Sequence, residues 1–140
     1  MAVVKDRFTV SDTKNQIYSD FLNDFTPHPA TGDIVRYINE ASVSRSIRNL
    51  ISTNKGERLF QPEVGTDIFK MLFEPMSDGI AELLSSTIQR TISDYEPRAK
   101  VLAVNVAPNF DNNSYQVTIE YMIINRQTPI TLNVTLTRVR

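Results

Sequence analysis

The feature that most constrains this chain is a change of period at Pro97. Before it, Ile80, Leu84, Ile88 and Ile92 recur every four residues with Leu83 beside them, while Glu82, Ser85, Ser86, Gln89, Arg90 and Ser93 fill the opposite positions. That stripe predicts an amphipathic helix over about residues 77–95. After Pro97 the repeat is two. Leu102, Val104 and Val106 alternate with smaller residues. Tyr115, Val117, Ile119, Tyr121 and Ile123 alternate with Gln116, Thr118 and Glu120, and Ile130, Leu132, Val134 and Leu136 alternate with threonines and Asn133. Such alternation predicts three strands. The loops 108–114 and 125–129 are short and rich in turn residues, so the strands should be antiparallel neighbours in chain order. The expected fold class is α+β, with helices packed on one face of a small antiparallel C-terminal β-sheet, a meander.

Two further helices are expected upstream. Val43, Ile47, Leu50 and Ile51 draw one apolar stripe, with Asn39 or Ser42 as the cap and Asn54-Lys55-Gly56 as the end. A shorter helix should follow a cap at Thr66 or Asp67 and run through Ile68, Phe69, Met71, Leu72 and Phe73. Being apolar on most sides, it calls for burial, and Glu74-Pro75 ends it. Residues 34–38 form a short apolar run that reads as strand or linker.

The beginning of the chain is different. Residues 1–13 mix Val3, Val4, Phe8 and Val10 with charges and keep no period, and residues 17–25 read as a short strand or turn. Residues 26–33, with Pro27, His28, Pro29 and Gly32, are punctuation. We therefore expect an extended N-terminal arm and loop over 1–33 and a single α+β domain over 34–140. His28, between two prolines, reads as a surface turn residue, since no other histidine is present to share a metal.

Composition narrows function. With 41% apolar and 22% charged residues, the chain suits one soluble domain, and no stretch approaches the ~20 apolar residues needed to span a bilayer. No signal pattern opens the chain, and a cytosolic folding environment is expected. There is no cysteine, so neither disulfides nor thiolate metal sites arise, and neither a metal nor a cofactor is expected. A net charge of −1 gives no general attraction for phosphate, so nucleic acid is not an expected partner. Glu57, Glu74 and Glu96 all fall at element ends, the positions from which two carboxyls could converge as in a glycosidase. Glu57 and Glu96, however, each lie beside an arginine, which lowers a carboxyl pKa and spoils a general acid. No catalytic residue is expected, and a binding or structural role remains.

Two features suit binding. Proline stiffens the corner 95–98, so Glu96 and Arg98 flank a rigid turn. Glu57 and Arg58 make a second charged pair after the preceding helix. The last strand runs into Arg138-Val139-Arg140 with nothing after it to cover its edge, and an exposed edge invites strand addition. The edge residues are Thr131, Asn133, Thr135, Thr137, Arg138 and Arg140.

The order Gly56-Glu57-Arg58, Pro62-Glu63-Val64-Gly65, Leu72-Phe73-Glu74-Pro75 and Tyr95-Glu96-Pro97-Arg98 resembles the signatures of the small baseplate wedge proteins of contractile-tail phages, the sheath initiators. Baseplate components of type VI secretion and other contractile injection systems are similar. The likeness runs from about Ser42 to the C-terminus. It implies a non-enzymatic structural protein of the virion baseplate, assembled in the host cytoplasm. It implies that Glu96, Pro97 and Arg98 meet the helical core bundle of the wedge, and Glu57 and Arg58 are our further candidates for the same contact. It also implies that the C-terminal sheet accepts arms of the first ring of tail sheath subunits, with tail tube or hub proteins as further partners of the N-terminal arm. The family has carried a lysozyme-like label, so a muramidase using Glu57 and Glu96 is one alternative, and a generic strand-accepting module is another.

Overall fold

In β4 (Ser114–Ile123), Tyr115, Val117, Ile119, Tyr121 and Ile123 are all at most 1% exposed, while Gln116 and Glu120 face solvent. A strand with one wholly buried side is the centre of a sheet covered on one face. β3 (Ala99–Asn109) and β5 (Pro129–Thr137) pair with it antiparallel, giving the order β3-β4-β5 of the expected meander. The computed structural model describes residues 17–22, 25–124 and 126–138. Residues 1–16 of the expected arm and Arg140 of the expected edge lie outside these.

Three helices supply the covering layer. In α1 (Glu40–Ser52), Val43, Ile47, Leu50 and Ile51 are buried as the spacing predicts. In α3 (Asp78–Tyr95), the Ser77 hydroxyl accepts the Ile80 N–H as an N-cap, and Leu84, Ile88 and Ile92 are fully buried. Each such side chain contributes about 1.5–3 kcal/mol by leaving water. Leu83 does not widen this stripe. It is 48% exposed, and Ala81 and Thr91 take the buried flanks instead. α2 (Ile68–Met71) is a single turn anchored by Ile68 and by Leu72 just beyond it, but Phe73, expected inside, is 64% exposed. Asp67 precedes α2 without a side-chain capping bond, because its carboxylate is taken by Lys55 and Lys70.

β3 departs from the expected alternation. The register with β4 shifts between Val101 and Ala103, leaving Leu102 as a bulge and 46% exposed. One extra residue reverses the parity of a strand. The odd residues Ala99 and Val101 therefore turn toward the core before the bulge, and the even residues Val104 and Val106 after it.

Contacts divide the chain after Asn39. In the N-terminal unit, β1 (Ser19–Phe21) pairs antiparallel with β2 (Arg36–Ile38). Asn39, at φ 52°, turns its Oδ1 to accept the N–H groups of Ile17 and Tyr18, which is a different use from capping α1. His28 is exposed in the connecting loop, its Nδ1 accepting the Ala30 N–H.

Candidate functional site

The helix α3 stops where Glu96 leaves helical geometry at φ −123°, ψ 76°, its N–H still bonded to the Ile92 carbonyl. The Ala99 N–H returns to the Glu96 carbonyl, and the Ile124 N–H bonds the Arg98 carbonyl to open the β-ladder. Within this turn the Arg98 guanidinium grips the Glu96 carboxylate with two bonds, Nε to Oε1 at 2.6 Å and Nη2 to Oε2 at 2.8 Å. The Glu96 side chain is only 4% exposed and that of Arg98 29%. Burial works to raise the Glu96 carboxyl, but the bonds from Arg98 and Ser46 and the guanidinium charge overcome it and hold the carboxyl below its usual range. Glu96 thus faces inward, where it positions Arg98, and of the two only Arg98 reaches the surface. Ser46, on α1, is a supporting donor that nothing in its own sequence neighbourhood marks out.

Glu57 and Arg58 lie elsewhere. The Glu57 carboxylate accepts the Asn54 N–H at 2.7 Å, closing its own turn, and Arg58 is exposed. No hydrogen bond or ion pair among the described residues joins the two charged pairs. The loop carrying Glu57 and Arg58 does reach the corner by another route, since the Tyr95 hydroxyl donates to the Glu63 carbonyl at 2.9 Å. A general acid needs a raised carboxyl pKa, and Glu96 is pushed the other way.

The two sheet edges are not alike. Arg138 N–H bonds the Asn113 carbonyl, so by the antiparallel register the even residues of β5 face β4 and Thr131, Asn133, Thr135 and Thr137 turn their N–H and C=O groups outward. All four are exposed, and no described strand pairs with them. On β3 the Ile124–Arg98 bond fixes the same alternation, and beyond the bulge Val104, Val106 and Pro108 turn outward. The Val104 carbonyl accepts the Ser85 hydroxyl of α3 at 2.7 Å, Pro108 has no N–H, and the Leu102 bulge breaks the margin. These are three devices that blunt an edge. β5 has only Pro129 at its start. Arg138 does not stand guard over this edge, because its guanidinium donates to the Phe73 carbonyl beyond α2.

Residues 39–128 match the profile of the family described as baseplate wedge protein gp25. Over 110 residues the chain is 34% identical to the baseplate wedge protein gp25 of Enterobacteria phage T4, covering 79% of this chain and 83% of that protein. The chain belongs to the gp25 baseplate wedge family. The same fold occurs in a crystal structure titled a putative tail lysozyme from Geobacter sulfurreducens, at a TM-score of 0.65 and 23% identity over 70% of this chain and 89% of that one. It also occurs in the baseplate complex of the type VI secretion system, at a TM-score of 0.59 and 18% identity over 70% of this chain and 93% of that one. The match to the gp25 profile takes in α1, α2, α3, β3 and β4, and so includes both the Glu96–Arg98 turn and the loop after α1.

Proposed function

We propose that this gp25-family chain is a structural component of the baseplate of a contractile tail, without enzymatic activity. It joins the helical core of the wedge through the corner at Arg98 and seeds the sheath by accepting strands along β5. The observation that carries the reading is the asymmetry of the sheet. An exposed edge is a liability, and this chain blunts β3 with a hydroxyl, a proline and a bulge while leaving four outward residues of β5 bare. Strand addition would give those backbone groups partners, and the threonine and asparagine side chains would set register. Arg98, held by Glu96, presents a guanidinium whose orientation is already fixed, so little side-chain entropy is lost on pairing with a wedge carboxylate. The chain therefore resides in the virion baseplate after assembly in the host cytoplasm.

Proline at an outward position of an edge strand leaves the internal ladder intact. Asn133→Pro and Thr135→Pro should therefore yield folded protein that enters baseplates on which no sheath grows, as counted by electron microscopy. Sheaths of normal length on those baseplates would overturn the strand-acceptor role. For the corner, Arg98→Ala alone confounds binding with folding, because it strands a buried carboxylate. The informative variant is Glu96→Leu with Arg98→Leu, which removes both charges together. It should be folded but absent from baseplates, and normal incorporation would refute the role of the corner. A muramidase would clear cell walls and lose that ability in Glu57→Gln. Clearing by the purified wild-type chain that is abolished in that variant would overturn the non-enzymatic reading.

A further inference from the structure

Leu59 and Phe60 are 91% and 97% exposed, the two most exposed large apolar residues among the described ones. They do not sit on a loose loop. Gly56 N–H bonds the Pro62 carbonyl, Lys55 N–H the Thr66 carbonyl, and Thr66 N–H the Thr53 carbonyl, closing the loop at its base. Inside it, Gln61 N–H returns to Arg58 and Val64 N–H to Gln61. Gly65, at φ +136°, lets the two limbs touch: a Cβ there would lie 2.6 Å from the Thr53 carbonyl oxygen. A segment braced this fully could have turned its apolar residues inward. Instead it holds a leucine and a phenylalanine in water, where each forgoes about 1.5–3 kcal/mol of burial.

We propose that this tip is the apolar anchor of the wedge contact, inserting Leu59 and Phe60 into an apolar groove between helices of the same partner that Arg98 meets, with carboxylates at the groove's rim. This rests on the assignment of the corner to the wedge core. Three observations select that occupant. The Tyr95–Glu63 bond fastens the loop to the corner, so the tip and Arg98 belong to one continuous surface. Arg58 is exposed beside Leu59 and makes no ion pair among the described residues, so its guanidinium is available to a carboxylate at the rim of that groove. The tip is also small. Two side chains of this kind bury on the order of 400 Å², well short of the roughly 800 Å² per partner of a stable pair, so tip-to-tip contact of two copies would not hold by itself. Rigid apolar anchors beside a charged contact are the usual composition of a binding hot spot.

The test uses the whole chain in assembling particles. A photo-crosslinking residue, p-benzoylphenylalanine, replaces Phe60 or, separately, the exposed Pro97 of the corner, and the joined peptides are identified by mass spectrometry. Cross-links from both positions to one wedge protein, with position 60 meeting apolar residues of a helix flanked by aspartate or glutamate, are expected. Cross-linking at 97 without 60, or from 60 to a second copy of this chain or to sheath, would overturn the anchor and leave the corner standing. The specified cross-link at 60 without 97 would keep the anchor and remove the corner, and silence at both would end both. In parallel, Leu59→Asp with Phe60→Asp should leave the melting temperature unchanged and cut incorporation into baseplates on the order of tenfold or more, with Phe60→Leu largely retaining it. Full incorporation of the double aspartate variant would also overturn the anchor.

Discussion

Two helices of this chain hand over to a glutamate and an arginine, and the two pairs are used in opposite ways. After α3, Glu96 and Arg98 are separated by one proline, and the turn folds the two side chains onto each other under cover of α1. After α1, Glu57 and Arg58 are adjacent, and Glu57 closes a local turn while Arg58 goes to solvent. Similar composition therefore gives a closed, buried clamp in one place and an open, divided pair in the other. The difference lies in what surrounds each backbone turn. Removing one partner should be costly at the first pair and nearly free at the second.

The largest effect expected is at Arg98. Arg98→Ala leaves a carboxylate that is 4% exposed without its guanidinium, and a loss of roughly 3 to 5 kcal/mol should appear in urea unfolding at neutral pH. A loss below 1 kcal/mol would mean that the clamp is no different from an ordinary surface pair.

Gly65→Ala comes next and tests the other side of the comparison, the bracing of the loop. A side chain at φ +136° with a carbonyl oxygen 2.6 Å from its Cβ forces the limbs apart, at a cost of about 3 kcal/mol. Amide exchange should quicken at Lys55 and Thr66, whose N–H groups bond across the base of the loop, before it does in β4.

pH sharpens the contrast at somewhat smaller amplitude. The Glu96 carboxyl is held below its ordinary 4.5, so the ionised clamp contributes its full stability above that value and loses it as pH falls through the lower, folded value. Glu96→Gln should therefore cost about 2 kcal/mol at pH 7, and the gap between it and the wild type should close as the solution is acidified below about pH 4.5. A gap that stays constant would show that the charge of Glu96 plays no part.

The period change at Pro97 made the helix layer, the three strands and their order legible, because a half-buried element writes its buried side into its spacing. The errors fall where a single residue decides the matter. Leu102 obeys the alternation and still faces out, since a bulge is a backbone event with no signature in side-chain polarity. Leu83 and Phe73 are apolar and exposed for the complementary reason, that pattern reports preference and the packing surface available is finite. The corner was legible as a rigid charged turn, but its direction was not. Glu96 points inward and takes a bond there from Ser46, a residue fifty positions upstream. The difference between the two sheet edges was hidden for the same reason, because Ser85 reads as a solvent-facing helix residue until its hydroxyl is found on the Val104 carbonyl.

The smallest effects belong to the open pair and decide whether its two members are really independent. Glu57→Ala removes one hydrogen bond to an exposed backbone N–H and should cost about 0.5 to 1 kcal/mol. Arg58→Ala should change stability by less than about 0.5 kcal/mol, within the range of a solvated surface residue. The double variant then equals the sum of the two, because residues that share no contact add. A coupling energy near that of Glu96 with Arg98 would mean that Glu57 and Arg58 also close on each other in solution. The distinction between the two helix exits would then be one of burial and not of geometry.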